Sequence, residues 1–218
     1  MKYLSTVISS GFSVLVGCSL AAFFCSCAAT NVKSSWKSPE YHSGPINNLA
    51  VLAIEERGLL REGFENRIAN QLRSGGATAT TSFGVLSLDE INHDKQAAAQ
   101  RLRSLGAQAL VMTRLVDSAT YQREFRAGPE RYAETITGFQ TGVWYDYYSV
   151  AYMDMSPTYG SEKRQFFLET IVFDLNTAKR LWSCLTETVI TENTDRLEEM
   201  DRIVEKAVSA MRKDGIVP

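Results

Sequence analysis

Two apolar segments joined by a short polar turn, between Gln165 and Ile190, constrain the fold more than any other part of the chain. Both segments are rich in β-branched and aromatic residues, which favour strands. Asn176 and Thr177 suit the turn, because short polar side chains can hydrogen-bond to the neighbouring backbone. The pattern predicts a β-hairpin in the middle of a sheet that is covered on both faces. The first segment places Phe167, Ile171, Phe173 and Leu175 on one face, and Phe166, Leu168 and Val172 on the other.

The segments before the hairpin alternate between strand and helix patterns. Residues 49–54 form a continuous apolar run of strand length, and residues 60–72 repeat an apolar residue every four positions, as an amphipathic helix does. Arg61 and Glu65 lie one helical turn apart, where we expect a weak ion pair on the solvent-exposed face. A further strand is predicted at 77–83, and the order strand–helix–strand predicts parallel pairing.

The remaining segments complete the prediction of an α/β fold. Ser87 begins a helical segment that Gly106 ends, residues 109–116 predict a strand, and residues 197–211 carry the apolar stripe of a terminal helix. The sequence therefore predicts an α/β (α+β) fold, with helices packed on a mixed sheet of about five strands. The predicted order is β-α-β-α-β, then a loop or strand, then β-β-α.

Residues 126–161 interrupt this alternation with an aromatic segment that is rich in glycine. Within it, residues 143–153 could add a strand, and the rest is typical of a long functional loop. Tyr and Trp dominate binding surfaces, because they present a large rigid area with a polar tip. Two interpretations remain open: the aromatic side chains cover the sheet, or they bind a partner or a small ligand. The candidate partner-binding residues are Trp144, Tyr145, Tyr147 and Tyr148.

The N-terminal residues predict export from the cytoplasm. Lys2 is the only charged residue before Cys27, and residues 3–24 are apolar and Ser-rich. A short positive start, an apolar run and small residues are typical of a cleaved signal peptide. A retained membrane helix is the alternative, but serines and glycines dilute the run. The predicted organisation is a signal peptide at 1–26, a lipid-anchored tether at 27–48, and a single α/β domain at 49–218 with the aromatic insertion at 126–161.

The cysteines near this segment indicate a lipid anchor. A cysteine at the end of an export segment resembles the bacterial lipoprotein signal, in which the thiol is acylated and the cysteine becomes the new N-terminus. Cys18 has the better local match before it, but cleavage there would leave an apolar segment exposed after the lipid. We therefore predict lipidation at Cys27, which precedes a polar stretch, with Cys18 as the alternative. An ordinary export signal with incidental cysteines is the remaining interpretation.

Residue types that perform catalysis or bind metals do not cluster in the sequence. His42 and His93 have no neighbours at metal-ligand spacing, and Cys184 lies in a predicted strand, where we expect a core residue. Glu169 and Glu187 could face each other across the hairpin as a hydrolytic pair, although we expect two solvated carboxylates at the rim. A pI near 5.8 gives no general attraction to nucleic acid. We predict a protein that is not an enzyme, with no catalytic residue, metal or cofactor.

Three segments resemble a group of uncharacterised bacterial lipoproteins. Residues 27–41 match a lipid-modified cysteine followed by Trp-Lys-x-Pro-x-Tyr, residues 49–54 followed by 61–67 match the first strand and helix, and residues 169–183 match the hairpin. More distantly, the architecture is similar to the curli secretion lipoprotein, the outer-membrane activators of penicillin-binding proteins and the N-terminal domain of the Tol translocation protein. Those are assembly or partner-binding domains.

The resemblance implies a lipid-anchored protein of the bacterial cell envelope that binds another envelope protein. The expected location is the periplasmic side of the outer membrane, with the N-terminal lipid as the membrane contact. Two alternatives remain: a ligand-binding module that uses the aromatic segment, and a carboxylate-dependent envelope hydrolase.

Overall fold

A mixed β-sheet with helices on both faces is formed by residues 29–117, 143–153, 165–189 and 196–218, which are the residues that the computed structural model describes. The strands are β1 (Ala29–Lys37), β2 (Asn48–Ile54), β3 (Thr78–Thr81), β4 (Ala109–Asp117), β5 (Gln165–Asp174) and β6 (Arg180–Val189). The helices are α1 (Gly58–Ser74), α2 (Leu88–His93), α3 (Lys95–Ser104), α4 (Trp144–Met153) and α5 (Arg196–Lys213).

The strands are arranged in the order β1-β6-β5-β4-β2-β3, and both parallel and antiparallel pairs occur. β2 pairs in parallel with β3 and with β4, as the strand–helix–strand pattern predicts, whereas β4, β5, β6 and β1 pair antiparallel. The prediction of an α/β fold with a mixed sheet is confirmed. The sheet has six strands where about five were expected, because β1 lies within residues 27–48, which the sequence suggested to be a tether.

The hairpin of β5 and β6 lies inside the sheet, as predicted. Asp174 closes its turn: the Oδ1 atom accepts hydrogen bonds from Asn176 N at 2.8 Å and from Thr177 N at 2.6 Å. Ala178 completes the turn with a φ of 62°, a left-handed conformation that residues other than glycine seldom adopt. The alternation of apolar side chains in β5 also follows the prediction, with Phe167, Ile171, Phe173 and Leu175 in one core layer and Leu168 and Val172 in the other.

Each face of the sheet supports its own core layer. On one face, α1 and α5 lie side by side, and Arg67 Nε is 2.7 Å from Asp201 Oδ1 where they meet. The terminal helix predicted from the apolar stripe of residues 197–211 is α5. On the other face, α2, α3 and α4 cover the sheet. The first layer is centred on Leu49, Val51, Ile68, Leu72, Trp182 and Val208, and the second on Leu52, Leu102, Met112, Trp144, Tyr148 and Ile171.

Two local predictions require correction. Residues 143–153 do not add a strand, because Trp144–Met153 is the helix α4. Its buried residues 144, 147, 148 and 151 recur with the helical spacing of three and four, which outweighs the β preference of Tyr and Trp. The single helical segment expected after Ser87 is divided into α2 and α3, because Asp94 Oδ1 accepts a hydrogen bond from Ala97 N and begins a new helix.

None of the helices in residues 29–117, 143–153, 165–189 and 196–218 has the length and apolar character needed to cross a lipid bilayer.

Candidate functional site

One end of the sheet collects the positions that the sequence connects with anchoring, and we call it the Ala29 end. Ala29 pairs with Val189, Val189 pairs with Gln165, and Asp117 pairs with Phe166 one position along, so these residues mark the same end of four strands. β2, β3, β4 and β6 end here, and α1 and α5 begin just beyond the strands that precede them. Cys27, the predicted lipidation site, and the alternative Cys18 lie outside the described residues. A single residue separates Cys27 from β1.

β1 is fixed to its neighbours by buried polar contacts close to the Ala29 end. Thr30 Oγ1 donates a hydrogen bond to Glu199 Oε1 at 2.8 Å and lies 2.9 Å from Thr188 Oγ1. Glu199, in the first turn of α5, is 1% exposed. A buried carboxylate is stabilised only where hydrogen bonds and charges satisfy it, so this contact holds β1 against α5.

A buried ion pair lies under α4 on the opposite face of the sheet. Arg114 Nε of β4 is 2.6 Å from Glu169 Oε2 of β5, and the Tyr147 hydroxyl of α4 donates to the same oxygen at 2.8 Å. Glu169 is 0% exposed, and its Oε1 atom has no hydrogen-bond partner in the described structure. Burial, followed by the nearby Glu169 carboxylate, raises the pKa of Tyr147 well above its ordinary value of 10.0. The tyrosine therefore remains a neutral donor.

The solvated position expected for Glu169 is wrong, and the carboxylate pair does not form across the hairpin. Glu169 pairs with Leu185, whereas Glu187 pairs with Phe167, so the two carboxylates are diagonal rather than opposite each other. Glu187 instead lies 2.9 Å from Lys33 Nζ and accepts a hydrogen bond from Gln165. General acid–base catalysis requires carboxylates that reach a substrate, and the buried Glu169 side chain does not.

The aromatic candidates on α4 mostly face inward. Trp144, Tyr147 and Tyr148 are at most 1% exposed, and Tyr145 is half-buried. The Tyr148 hydroxyl donates to Leu88 O at 2.6 Å, which ties α4 to α2. Of the two interpretations of the aromatic segment, covering the sheet is what Trp144, Tyr147 and Tyr148 do. Partner binding by Trp144, Tyr145, Tyr147 and Tyr148 stays a prediction that their burial does not favour.

The single cysteine and the histidines of the described residues have structural or surface positions, as expected. Cys184 is fully buried, and burial raises the pKa of its thiol, so it is unreactive. His42 and His93 are exposed. Across the described ranges, no three His, Cys, Asp or Glu side chains gather as metal ligands would.

The ion pair of Arg61 and Glu65, which the sequence predicted at the surface, is a second buried ion pair. Glu65 accepts hydrogen bonds from Arg61 Nε at 3.0 Å, Ser82 Oγ at 2.9 Å, Ala53 N at 3.1 Å and Phe83 N at 2.6 Å. Arg61 and Glu65 are 6% and 0% exposed, so the predicted solvent-exposed pair is wrong. The spacing of positions 61, 65, 68 and 72 places both charges on the same helical face as buried Ile68 and Leu72, which is the signal in the sequence.

The opposite end of the sheet, the Lys37 end, carries an excess of basic side chains. It comprises the last residue of β1, the turn after Asp174, and the C-terminal turns of α1, α3 and α5. Its exposed basic residues are Lys37, Arg73, Arg101, Arg103, Lys179 and Lys213. Its acidic side chains are Glu40, Asp174 and Asp214, and the last two are bound to the hairpin turn and to Trp182 Nε1. Favourable interaction with helix dipoles accounts for the basic residues of α1, α3 and α5. It also accounts for Lys37, whose Nζ donates a hydrogen bond at 2.7 Å to the carbonyl of Asp214, the residue that follows α5, whereas Lys179 lies 3.9 Å from Glu40.

A comparison of the chain with protein-family models gives no match. A comparison with curated proteins gives none either. Solved structures do show a distant likeness. The fold is similar to that of PelC. A single-residue variant of the PelC dodecamer from Paraburkholderia phytofirmans aligns with a TM-score of 0.45 and 16% identity, over 84% of this chain and 96% of that chain. The PelC dodecamer in a second crystal form gives 0.45 and 17%, over 83% and 96%. At this identity, the likeness concerns the overall fold alone.

No family is assigned by these comparisons, so the resemblance to the lipoprotein group stays a prediction.

Proposed function

We propose that this chain is a lipid-anchored protein of the bacterial cell envelope, and that it acts by binding an envelope protein rather than by catalysis. The observation that carries the proposal is the N-terminal sequence. The positive charge of Lys2 is followed by an uncharged apolar run at residues 3–24 and then by Cys27. After removal of residues 1–26, Cys27 would be the first residue and would carry the acyl chains. More than one chain is needed for stable anchoring. The proposed location is the outer membrane, on its periplasmic side.

The structure supports this proposal through the position of β1. The strand begins two residues after Cys27 and is tied to α5 by the contact between Thr30 and Glu199. A lipid on Cys27 would therefore be attached to the sheet itself, and the anchor would fix the orientation of the domain as well as its location. The Lys37 end would then face away from the membrane.

The Lys37 end is the surface that we propose for the partner. Its six exposed basic side chains and three acidic ones favour a protein with an acidic surface. Exposed charges of this kind raise association rates and set specificity, which suits an assembly module without a reaction of its own.

Lipid labelling tests the anchor. Cells that express the full chain are supplied with a palmitate analogue that can be detected after capture of the protein. We expect label on the wild type, no label on Cys27→Ser, and unchanged label on the matched control Cys18→Ser. Label that is lost in Cys18→Ser and retained in Cys27→Ser would assign the anchor to the alternative cysteine. A wild-type protein that takes up no label would contradict the proposal.

Crosslinking in intact cells tests the partner surface. A photoreactive residue at Asn176, exposed in the hairpin turn, should capture a defined envelope protein in the wild type. Reversing two charges at the Lys37 end, in Arg101→Glu/Lys179→Glu, should reduce that adduct several-fold. The matched control Lys206→Glu reverses an exposed charge in the middle of α5 and should leave it unchanged. An adduct that is equally abundant in all three proteins would exclude the Lys37 end as the binding surface.

A further inference from the structure

The distance between the proposed anchor and the folded domain is short enough to fix which surface faces the lipid. This step rests on the lipidation of Cys27 proposed above. Only Ala28 separates Cys27 from Ala29, and an extended chain spans at most about 3.6 Å per residue. The Cα atom of Cys27 therefore lies within roughly 7 Å of that of Ala29 in any conformation. A domain held so closely cannot turn its Ala29 end far from the membrane.

The same end of the molecule exposes large apolar side chains. Leu59 in the first turn of α1 is 87% exposed, and Leu197 in the first turn of α5 is 60% exposed. Phe83, which follows the end of β3, is 37% exposed, and Val189, the last residue of β6, is 41% exposed. Single exposed apolar residues are common on soluble proteins, but these four lie at one end. Among the described residues, Leu105 is the comparable exposed leucine at the Lys37 end, at 49%.

The two leucines are neighbours at the tips of adjacent helices. A Cβ atom at Gly63 in α1 would lie 3.4 Å from the Met200 side chain in α5, so the helices are in close contact at this level. Leu59 lies one turn before Gly63, and Leu197 lies three residues before Met200. Both helices begin at the Ala29 end, so the two leucines lie on the membrane-proximal side of this contact in the proposed orientation.

The charges around these leucines favour apolar contact with lipid over attraction to anionic headgroups. Glu55, Glu56 and Glu198 flank them. Arg57 lies 2.7 Å from Glu55 Oε2, Arg202 pairs with Glu198, and Arg196 precedes Leu197 in the sequence. Acidic and basic residues are therefore mixed here, without the basic excess that would indicate recognition of anionic lipids. Burial of leucine and phenylalanine side chains is favourable in proportion to the apolar surface that is removed from water. The acyl chains of Cys27 would hold these side chains at the membrane surface at high effective concentration.

We propose that the Ala29 end rests on the membrane, with Leu59, Leu197 and Phe83 in contact with the boundary between headgroups and acyl chains. The domain then stands with its strands inclined away from the bilayer, and the Lys37 end is presented to the periplasm. We propose a lipid surface as the partner of these side chains because Cys27, the proposed lipidation site, lies two residues before β1.

Lipid-dependent fluorescence quenching tests this orientation. The full-length lipidated protein is reconstituted into vesicles of phosphatidylethanolamine and phosphatidylglycerol, with or without a lipid that carries a nitroxide quencher near the headgroup boundary. A fluorophore is attached in turn to Leu59→Cys, Leu197→Cys and the matched control Leu105→Cys. Cys184 is buried and does not compete for the label. We expect several-fold stronger quenching at positions 59 and 197 than at position 105.

The possible outcomes separate this inference from the anchoring proposal. If the wild type does not float with the vesicles, lipid anchoring itself fails. If it floats but positions 59, 197 and 105 are quenched alike, the domain has no fixed orientation and the inference is overturned. The label at position 59 could instead be insensitive to the quencher lipid but show energy transfer to a label at position 59 of a second molecule. A second copy would then cover the leucines, and the inference would again be overturned.

Discussion

Replacing Glu65 by glutamine should lower the free energy of unfolding by about 3 kcal/mol, because it leaves the Arg61 guanidinium buried without its counter-charge. The carboxylate accepts four hydrogen bonds, from Arg61, Ser82 and the amides of Ala53 and Phe83. Glutamine has a similar shape, but its NH₂ group cannot accept from these donors. The substitution therefore removes the charge, and it places the NH₂ group opposite at least one of these donors, where no hydrogen bond can form. The loss is measured by urea denaturation.

The control for this variant removes a neighbouring charge of the same type. Glu62→Gln lies in the same turn of α1 at a half-buried position, and its effect should stay within about 0.5 kcal/mol. A double-mutant cycle with Arg61→Met should then show a coupling between residues 61 and 65 of roughly 1–3 kcal/mol. Equal losses in Glu65→Gln and Glu62→Gln, or additive effects in the cycle, would show that the buried pair contributes nothing specific.

The core hairpin was predictable because its information is local. Phe167, Ile171 and Phe173 alternate with Leu168 and Val172, and this alternation determines both the strand and its two covered faces. No long-range contact has to be known to make that inference. The same holds for α5, whose apolar stripe and terminal charges define it without reference to the rest of the chain.

β1 was missed because an edge strand needs no apolar alternation. Asn31, Val32 and Lys33 are exposed, and the register shifts between Val32 and Ser34, so no period of two is visible in the sequence. What makes the segment a strand is the ladder to β6, with Ala29 opposite Val189 and residues from distant parts of the chain in contact. Sequence proximity to the predicted lipid suggested a tether, and long-range pairing outweighs that suggestion.

The candidate site was the least predictable part, for a similar reason. Glu169 and Glu187 were expected as two solvated carboxylates at the rim, because glutamates are seldom fully buried unless they are paired. Its partners are Arg114, on the adjacent strand, and Tyr147, on a helix that the sequence suggested to be a strand. Had residues 144–153 been predicted as a helix, the Tyr147 side chain would have been expected over the sheet. Its buried hydroxyl would then have required a polar partner there.

Replacing Arg114 by methionine should destabilise the protein by about 3–5 kcal/mol, because it leaves the Glu169 carboxylate buried without a counter-charge. Methionine keeps much of the length of the arginine side chain and its packing under α4, so the lost charge is the main change. Glu169 Oε1 already lacks a hydrogen-bond partner in the described structure, so Tyr147 would be the remaining described donor to this carboxylate. The loss is measured by urea denaturation, and a change below about 1 kcal/mol would contradict a structural role for the pair.

Two tyrosines of α4 provide a matched comparison for the same site. The hydroxyls of Tyr147 and Tyr148 are both buried donors, but Tyr147 donates to the carboxylate of Glu169 and Tyr148 to the neutral carbonyl of Leu88. Hydrogen bonds to charged groups are worth about 1.5–3 kcal/mol and those to neutral groups about 0.5–1.5 kcal/mol. Tyr147→Phe should therefore be more destabilising than Tyr148→Phe. The reverse order would show that the Glu169 carboxylate is not what the Tyr147 hydroxyl stabilises.

The pH dependence of the same variants follows from the raised pKa of Tyr147, which is due first to burial and then to Glu169. A pKa that is higher in the folded protein means that the unfolded chain loses this proton first as the pH rises. The contribution to stability is therefore complete below pH about 10, the ordinary pKa of tyrosine, and is lost as the pH rises above it. Tyr147→Phe should flatten this alkaline loss, though only in part, because burial also raises the pKa of Tyr148. An equally steep alkaline loss in the wild type and in Tyr147→Phe would mean that the Tyr147 hydroxyl is solvated, and that α4 does not seal the ion pair of Arg114 and Glu169.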